Sequence, residues 1–160
     1  MLHPPTADLE GLLAEITRAE VEVIVIGGVA AVIHGAPITT IDLDVVYRRT
    51  SQSLDRLETL LKQLDARVRD PAGRSLRPTR GHLEADGALL LTTRLGPFDP
   101  LATLPDGRDF EALLPDSEVV ATQDLSVRVL TLDALIDIKR STGRAKDRLM
   151  LGPLLALKEK

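Results

Sequence analysis

The sequence contains no cysteine and no tryptophan, and only two phenylalanines and one tyrosine among its 160 residues. Without cysteine there is no disulfide framework, no thiolate metal site and no thiol nucleophile. Aromatics at 2% leave little from which to build the stacking platforms of single-strand nucleic-acid binders. No apolar run approaches the roughly 18–20 residues that cross a bilayer. The opening stretch, MLHPPTADLE, has neither a basic start nor an apolar core, so a secretory signal is not expected and the cytoplasm is the expected compartment. The three histidines, His3, His34 and His82, are scattered with no H-x(3)-H pair, which speaks against zinc. There is no G-x-S-x-G elbow and no GxxxxGK[ST] phosphate loop.

What remains is an ordinary soluble composition, 44% hydrophobic and 28% charged, in a 17.4 kDa chain. That size suits a single domain spanning residues 1–160. The net charge of −4 is uneven: residues 1–127 carry 12 Lys/Arg against 20 Asp/Glu, and residues 128–160 carry 8 against 4. A basic C-terminal segment on an acidic body can hold a polyanion at one edge, and it equally describes helices with solvated basic faces.

Apolar spacing after Asp8 predicts a helix to Ala19, and the run Val21 to Ile26 predicts a buried strand ending at Gly27-Gly28. A short helix from Val29 to His34 and a strand from Asp42 to Tyr47 follow. Ser53 is the expected cap of a helix carrying Leu54, Leu57, Leu60, Leu61 and Leu64 on one stripe. Residues 69–81, with two prolines, two glycines and four arginines, read as a loop. Strands are expected at Ala88–Arg94 and Phe98–Thr103, a helical turn or two at Asp109–Leu114, and a hairpin at Glu118–Thr122 and Val127–Leu130 around Gln123-Asp124. Thr131 caps a helix through Ile138, and Ala145–Lys158 forms another, interrupted near Gly152-Pro153. Strands and helices mix without regular alternation, so the expected class is α/β (α+β): a small mixed sheet flanked by helices, with helices over about 131–160 packed on it.

The chemistry concentrates in residues 23–47, VIVIGGVAAVIHGAPITTIDLDVVY. A strand, Gly-Gly and a helix make a turn whose free N–H groups can receive a phosphate, although a GxGxxG fingerprint fails at Val29 and Val32. Asp42 and Asp44 are spaced to face the same way, about 6.6 Å apart along a strand. Carboxylates so placed among apolar neighbours repel one another unless a cation sits between them, and Mg²⁺ is the hard ion that also brings phosphate. Two solvated aspartates at a strand start are the alternative.

This stretch resembles the nucleotidyltransferases of the DNA polymerase β-like superfamily, whose pattern is a strand, a Gly-Gly or Gly-Ser turn on a short helix, and an Asp-x-Asp strand. Gly27-Gly28, Thr40 and Asp42-Leu43-Asp44 stand in those places, with Gly28 departing from the Gly-Ser form. The nearest resemblance is to AbiEii-like and minimal nucleotidyltransferases, many of them parts of toxin–antitoxin pairs. The segment Asp137 to Asp147 looks like the K-x(4)-R-x-K-D element of the AbiEii-like group.

From the residues alone Asp99 reads as a turn aspartate, with Pro100 leaving its register open. The resemblance makes it the third carboxylate, sharing metal with Asp42 and Asp44 and taking the proton of the acceptor hydroxyl. It further implies two Mg²⁺ ions and an NTP held by Gly27 and Gly28, with Thr40 supporting the site. Lys139 and Lys146 would offset triphosphate charge, with Asp147 orienting one of them. The implied reaction moves a nucleoside monophosphate from an NTP to an acceptor hydroxyl and releases pyrophosphate. The implied acceptor is RNA such as a tRNA 3′ end, in a toxin-type protein with a cognate antitoxin and no membrane partner. An antibiotic- or protein-modifying enzyme, or a lapsed nucleotide-binding module, is the rival reading. The loop arginines Arg69, Arg74, Arg77 and Arg80 are candidates for guiding RNA phosphates, or an ordinary charged loop.

Overall fold

The computed structural model describes residues 2–121, 124–142 and 145–159; the side chain of Lys146 lies outside the described set. Asp8 caps α1 (Leu9–Arg18) by accepting from the Gly11 N–H at 3.0 Å, and Leu12 and Ile16 on the apolar stripe are buried. β1 (Val23–Ile26) runs directly into α2 (Gly27–Ile33), so the helix begins at the glycines rather than at Val29. β2 (Leu43–Tyr47) leads to α3 (Ser51–Gln63). The cap of α3 is Thr50, whose hydroxyl accepts from the Ser53 N–H at 3.2 Å. The leucine stripe begins at Leu54 and so pointed to Ser53, but capping belongs to whichever hydroxyl reaches an unpaired first-turn amide.

β3 (Arg67–Val68), α4 (Arg80–Glu84), β4 (Leu91–Thr93) and β5 (Gly96–Leu101) follow, β4 being shorter than the expected strand. α5 (Phe110–Leu113) is one turn capped by Asp109, continued by a 3₁₀ turn over Leu114–Asp116. β6 (Ser117–Ala121) and β7 (Ser126–Leu130) form the expected hairpin, with Thr122 and Gln123 outside the described residues. Thr131 caps α6 (Leu132–Thr142), which continues past Ile138. α7 (Ala145–Lys158) passes through Gly152-Pro153 without the expected interruption. The carbonyl a proline there leaves unbonded belongs to Leu149, a residue 80% exposed, so the break is not enforced.

Seven strands among the described residues form one mixed sheet in the order β3-β4-β5-β2-β1-β7-β6. β1 pairs with β7 and β2 with β5 in parallel, and the remaining pairs are antiparallel. The continuous apolar runs land at the centre: Ile24, Val25, Leu43, Val45 and Val46 are fully buried. The β2–β5 register sets Leu43 opposite Phe98, Asp44 opposite Asp99 and Val45 opposite Pro100. Pro100 fits because its carbonyl points toward the β4 side, accepting from the Leu89 N–H at 2.9 Å, so its missing donor is not one the β2 ladder needs. The N-terminal segment ties both strands together: the Ala7 N–H donates to Ile41 O at 2.8 Å and the Asp8 N–H to Leu95 O at 2.7 Å. No helix among the described residues is long and apolar enough to cross a membrane.

Candidate active site

β1 ends at a turn that only a small residue tolerates. Gly27 has φ +65°, and a Cβ on it would lie 2.5 Å from Oδ2 of Asp44. The strand-to-helix turn and the second aspartate are thus in direct apposition. A Cβ on Gly28 would meet Oγ1 of Thr40 at 2.8 Å, so the threonine fills the space a side chain at 28 would use. The Thr40 hydroxyl donates to the Asp42 carbonyl at 3.1 Å and steadies the chain as it enters β2.

Asp42 lies just ahead of β2 and Asp44 is its second residue. Asp99 comes from the parallel neighbour β5, directly opposite Asp44. One carboxylate oxygen from each of the three can be chosen so that all lie within 4.8 Å of one another. Asp42 and Asp44 are half-buried, and Asp99 is only 5% exposed. Burial pushes the Asp99 carboxyl above its usual range, Arg69 pulls it back, and Asp42 beside it raises it again. An all-oxygen set of this kind suits a hard divalent ion such as Mg²⁺ by the chemistry of its donors.

Arg69 is the partner that sequence reasoning missed. It donates from Nη2 to Oδ1 of Asp99 at 2.6 Å and from Nη1 to the Leu91 carbonyl at 2.8 Å. It follows β3 directly, and no spacing in the sequence joins it to Asp99. The other three loop arginines are engaged elsewhere: Arg74 with Asp70 at 2.6 Å, Arg77 with Asp65 at 3.3 Å, and Arg80 with Asp55 and Glu58 at 2.7 and 3.0 Å.

From the opposite side α6 delivers Lys139, whose Nζ pairs with Oδ1 of Asp147 on α7 at 2.8 Å. Thr142 donates to the other oxygen of Asp147, which is 4% exposed. The sequence expectation that Asp147 orients a lysine of this segment therefore corresponds to an actual contact, with Lys139. Lys139 lines the same hollows as Asp42 and Asp44, and the side chain of Lys146 lies outside the described residues. Two hollows share Asp42, Asp44 and Lys139. One, about 280 Å³, is floored by Gly28, Thr39 and Thr40. The other, about 390 Å³, holds Gly27 and Asp99 and has an aliphatic wall of Ala88, Leu90, Leu101, Leu104, Leu135 and Ile138. A roomier hollow of about 530 Å³ near Glu20, Arg56 and Arg128 contains none of these residues. His34 binds the Leu130 carbonyl and His82 completes the cap of α4, so neither histidine serves the site.

No protein-family model and no curated protein matches this sequence. Solved structures do match its fold. A lincomycin-bound lincosamide antibiotic adenylyltransferase, LnuA, superposes with TM-score 0.66 at 11% identity, over 96% of this chain and 99% of that one. The antibiotic-resistance factor ANT(2'')-Ia gives 0.62 at 15% identity, over 92% and 80%. TM1012 from Thermotoga maritima, provisionally assigned as a nucleotidyltransferase, gives 0.58 at 17% identity, over 92% and 90%. At these identities the likeness establishes the fold: the chain has the mixed α/β architecture of nucleotidyltransferases.

Proposed function

We propose that this protein transfers a nucleoside monophosphate from an NTP to an acceptor hydroxyl. The observation that carries the reading is the convergence of Asp42, Asp44 and Asp99, with Lys139 across the hollow they line. Mg²⁺ held by the three carboxylates, as one ion or two, would supply charge neutralisation at the α-phosphate. Asp99, buried and directly opposite Asp44, takes the hydroxyl proton. The acceptor oxygen bonds to the α-phosphorus as the bond from that phosphorus to the β-bridging oxygen breaks, and the electron pair leaves on pyrophosphate. The amides of Gly27 and Gly28 hold the β- and γ-phosphates where α2 begins. Thr40 keeps the approach to Asp42 in place, and Lys139, with Lys146 as a second cation, offsets triphosphate charge.

Asp99 lines only the aliphatic hollow, so the acceptor belongs there and the pyrophosphate in the hollow floored by Gly28 and Thr40. A small hydroxylated molecule with an apolar face suits that wall. An RNA end asks for stacking surfaces and unpaired cations, whereas this wall has no aromatic residue and the loop arginines already hold carboxylates. The structures of LnuA and ANT(2'')-Ia, an antibiotic adenylyltransferase and an antibiotic-resistance factor, support the small-molecule reading by analogy. The RNA reading, with a toxin-type role and a cognate antitoxin, rests on the sequence resemblance and the basic C-terminal segment.

Label transfer decides among these. The protein is incubated with Mg²⁺ and each α-labelled NTP against hydroxylated antibiotics, total tRNA and the protein itself, beside an Asp42→Ala/Asp44→Ala control. Label on a small molecule, lost in the control, is the expected result. Label on tRNA moves the acceptor to RNA and keeps the chemistry. No transfer and no Mg²⁺-dependent NTP binding leaves only an inactive module.

A further inference from the structure

Arg69 is anchored at three points. Its backbone N–H donates to Leu90 O at 2.9 Å, Nη1 to Leu91 O at 2.8 Å and Nη2 to Oδ1 of Asp99 at 2.6 Å. The two carbonyls belong to the chain entering β4 and to its first residue. The β4–β5 ladder ends at the Leu91–Phe98 pair, one residue short of Asp99. The same register continues beyond it in the Leu89 N–H to Pro100 O bond and the Ala88–Leu101 bridge, so the backbone is held on both sides of Asp99 and the guanidinium ties the Asp99 side chain to Leu91. Arg74, Arg77 and Arg80 pair with carboxylates outside the site, so Arg69 differs in kind from its loop neighbours.

We infer that Arg69 is a positioning residue: it grips one oxygen of Asp99 from β4 and leaves the other aimed at the space shared with Asp42 and Asp44. The inference rests on the transferase reading above and adds a residue to it. An outer partner that holds a ligating carboxylate contributes typically 10–100-fold in metal affinity or activity when removed. The planar fork matters as well as the charge, because one guanidinium must reach a carbonyl and a carboxylate together, which a lysine ammonium does less well.

The test compares wild type, Arg69→Ala, Arg69→Lys and a loop control, Arg74→Ala, by two readouts. One is Mn²⁺ binding to the nucleotide-free protein by calorimetry; the other is steady-state label transfer. Arg69→Ala is expected to weaken Mn²⁺ binding and lower kcat by about 10–100-fold each, with KM for the NTP within about threefold of wild type. Added guanidinium ion should restore part of kcat in Arg69→Ala but none in Arg74→Ala, and Arg69→Lys should fall between. If Arg69→Ala binds Mn²⁺ more tightly, Arg69 competes with the metal and the inference is overturned. If wild type binds and transfers while Arg69→Ala matches it, the positioning role alone is lost. If wild type neither binds Mn²⁺ nor transfers label, the transferase reading goes with it.

Discussion

Gly27→Ala would put a methyl group 2.5 Å from Oδ2 of Asp44, where ordinary contact begins at 3.4 Å. Two separate consequences follow. The left-handed backbone, φ +65°, costs an alanine roughly 1–2 kcal/mol. At roughly 2–4 °C per kcal/mol for a chain of this size, the Tm should fall by about 2–8 °C. The carboxylate must also retreat by about 0.9 Å, the gap between those two distances, and a misplacement of about 1 Å at a reacting centre can cost on the order of 100-fold in rate. Gly73→Ala separates the two effects, because Gly73 has φ +72° and nothing within 4 Å of its would-be Cβ. Both variants should lose similar stability by thermal melting, while only Gly27→Ala loses transfer activity and Mn²⁺ affinity. Equal activity in the two folded variants would refute the claim that the turn and Asp44 are sterically coupled.

Tyr47 is the sole tyrosine, 1% exposed, and its hydroxyl donates to the Leu83 carbonyl at 2.7 Å. Burial pushes it up to about 12, against a smaller lowering by Arg49. In the unfolded chain it ionises near pH 10, so between about pH 10 and 12 only the folded state keeps the proton, and its contribution to stability declines by roughly 2–3 kcal/mol across that window. Absorbance at 295 nm should show one transition near pH 12, or coincident with unfolding if the fold is lost first, and a transition near 10 in denaturant. An exposed-type transition near pH 10 in protein with native circular dichroism is the contrary result. Lys139→Ala should raise the apparent KM for the NTP by about tenfold through loss of a charged contact. It should also destabilise the fold by roughly 1–3 kcal/mol, because Asp147 stays buried with its charge-assisted partner removed. Kinetics and urea melts measure the two effects, and an unchanged KM assigns Lys139 a structural role.

Local patterning carried much of the fold. The alternation of Asp42 and Asp44 around Leu43, the glycines after a β-branched run and the cap at Asp8 are all short-range features; the cap falls where expected, while Asp42 sits just ahead of β2 and α2 begins at the glycines themselves. That Asp147 would orient one of Lys139 and Lys146 came with the resemblance, and the contact the structure describes is with Lys139. Legibility failed where a residue's partner is remote. Asp99 became a site candidate only through resemblance, because no local rule sets a parallel register with a strand more than fifty residues earlier. Arg69 looked like one arginine of four until the β3–β4 pairing set it beside Asp99. The cap of α3 is Thr50 and not the expected Ser53 because the Thr50 hydroxyl is the one that reaches a first-turn amide, and α7 continues through Pro153 where the carbonyl left unbonded is that of exposed Leu149.

The alignment of Asp44 with Asp99 across parallel strands also bears on how the protein acquires activity during folding. Parallel neighbours cannot be joined by a tight turn, and the connection here contains α3, β3, α4 and β4. Closing that excursion costs chain entropy before any β2–β5 contact repays it, so the pair belongs among the slow, non-local steps. A chain that has formed β1, α2 and β2 already owns Asp42 and Asp44 with the glycine turn, yet it lacks Asp99 and the arginine that grips it. Recovery of activity on refolding therefore requires this long-range β2–β5 pairing, and it is expected to lag behind the return of helical signal.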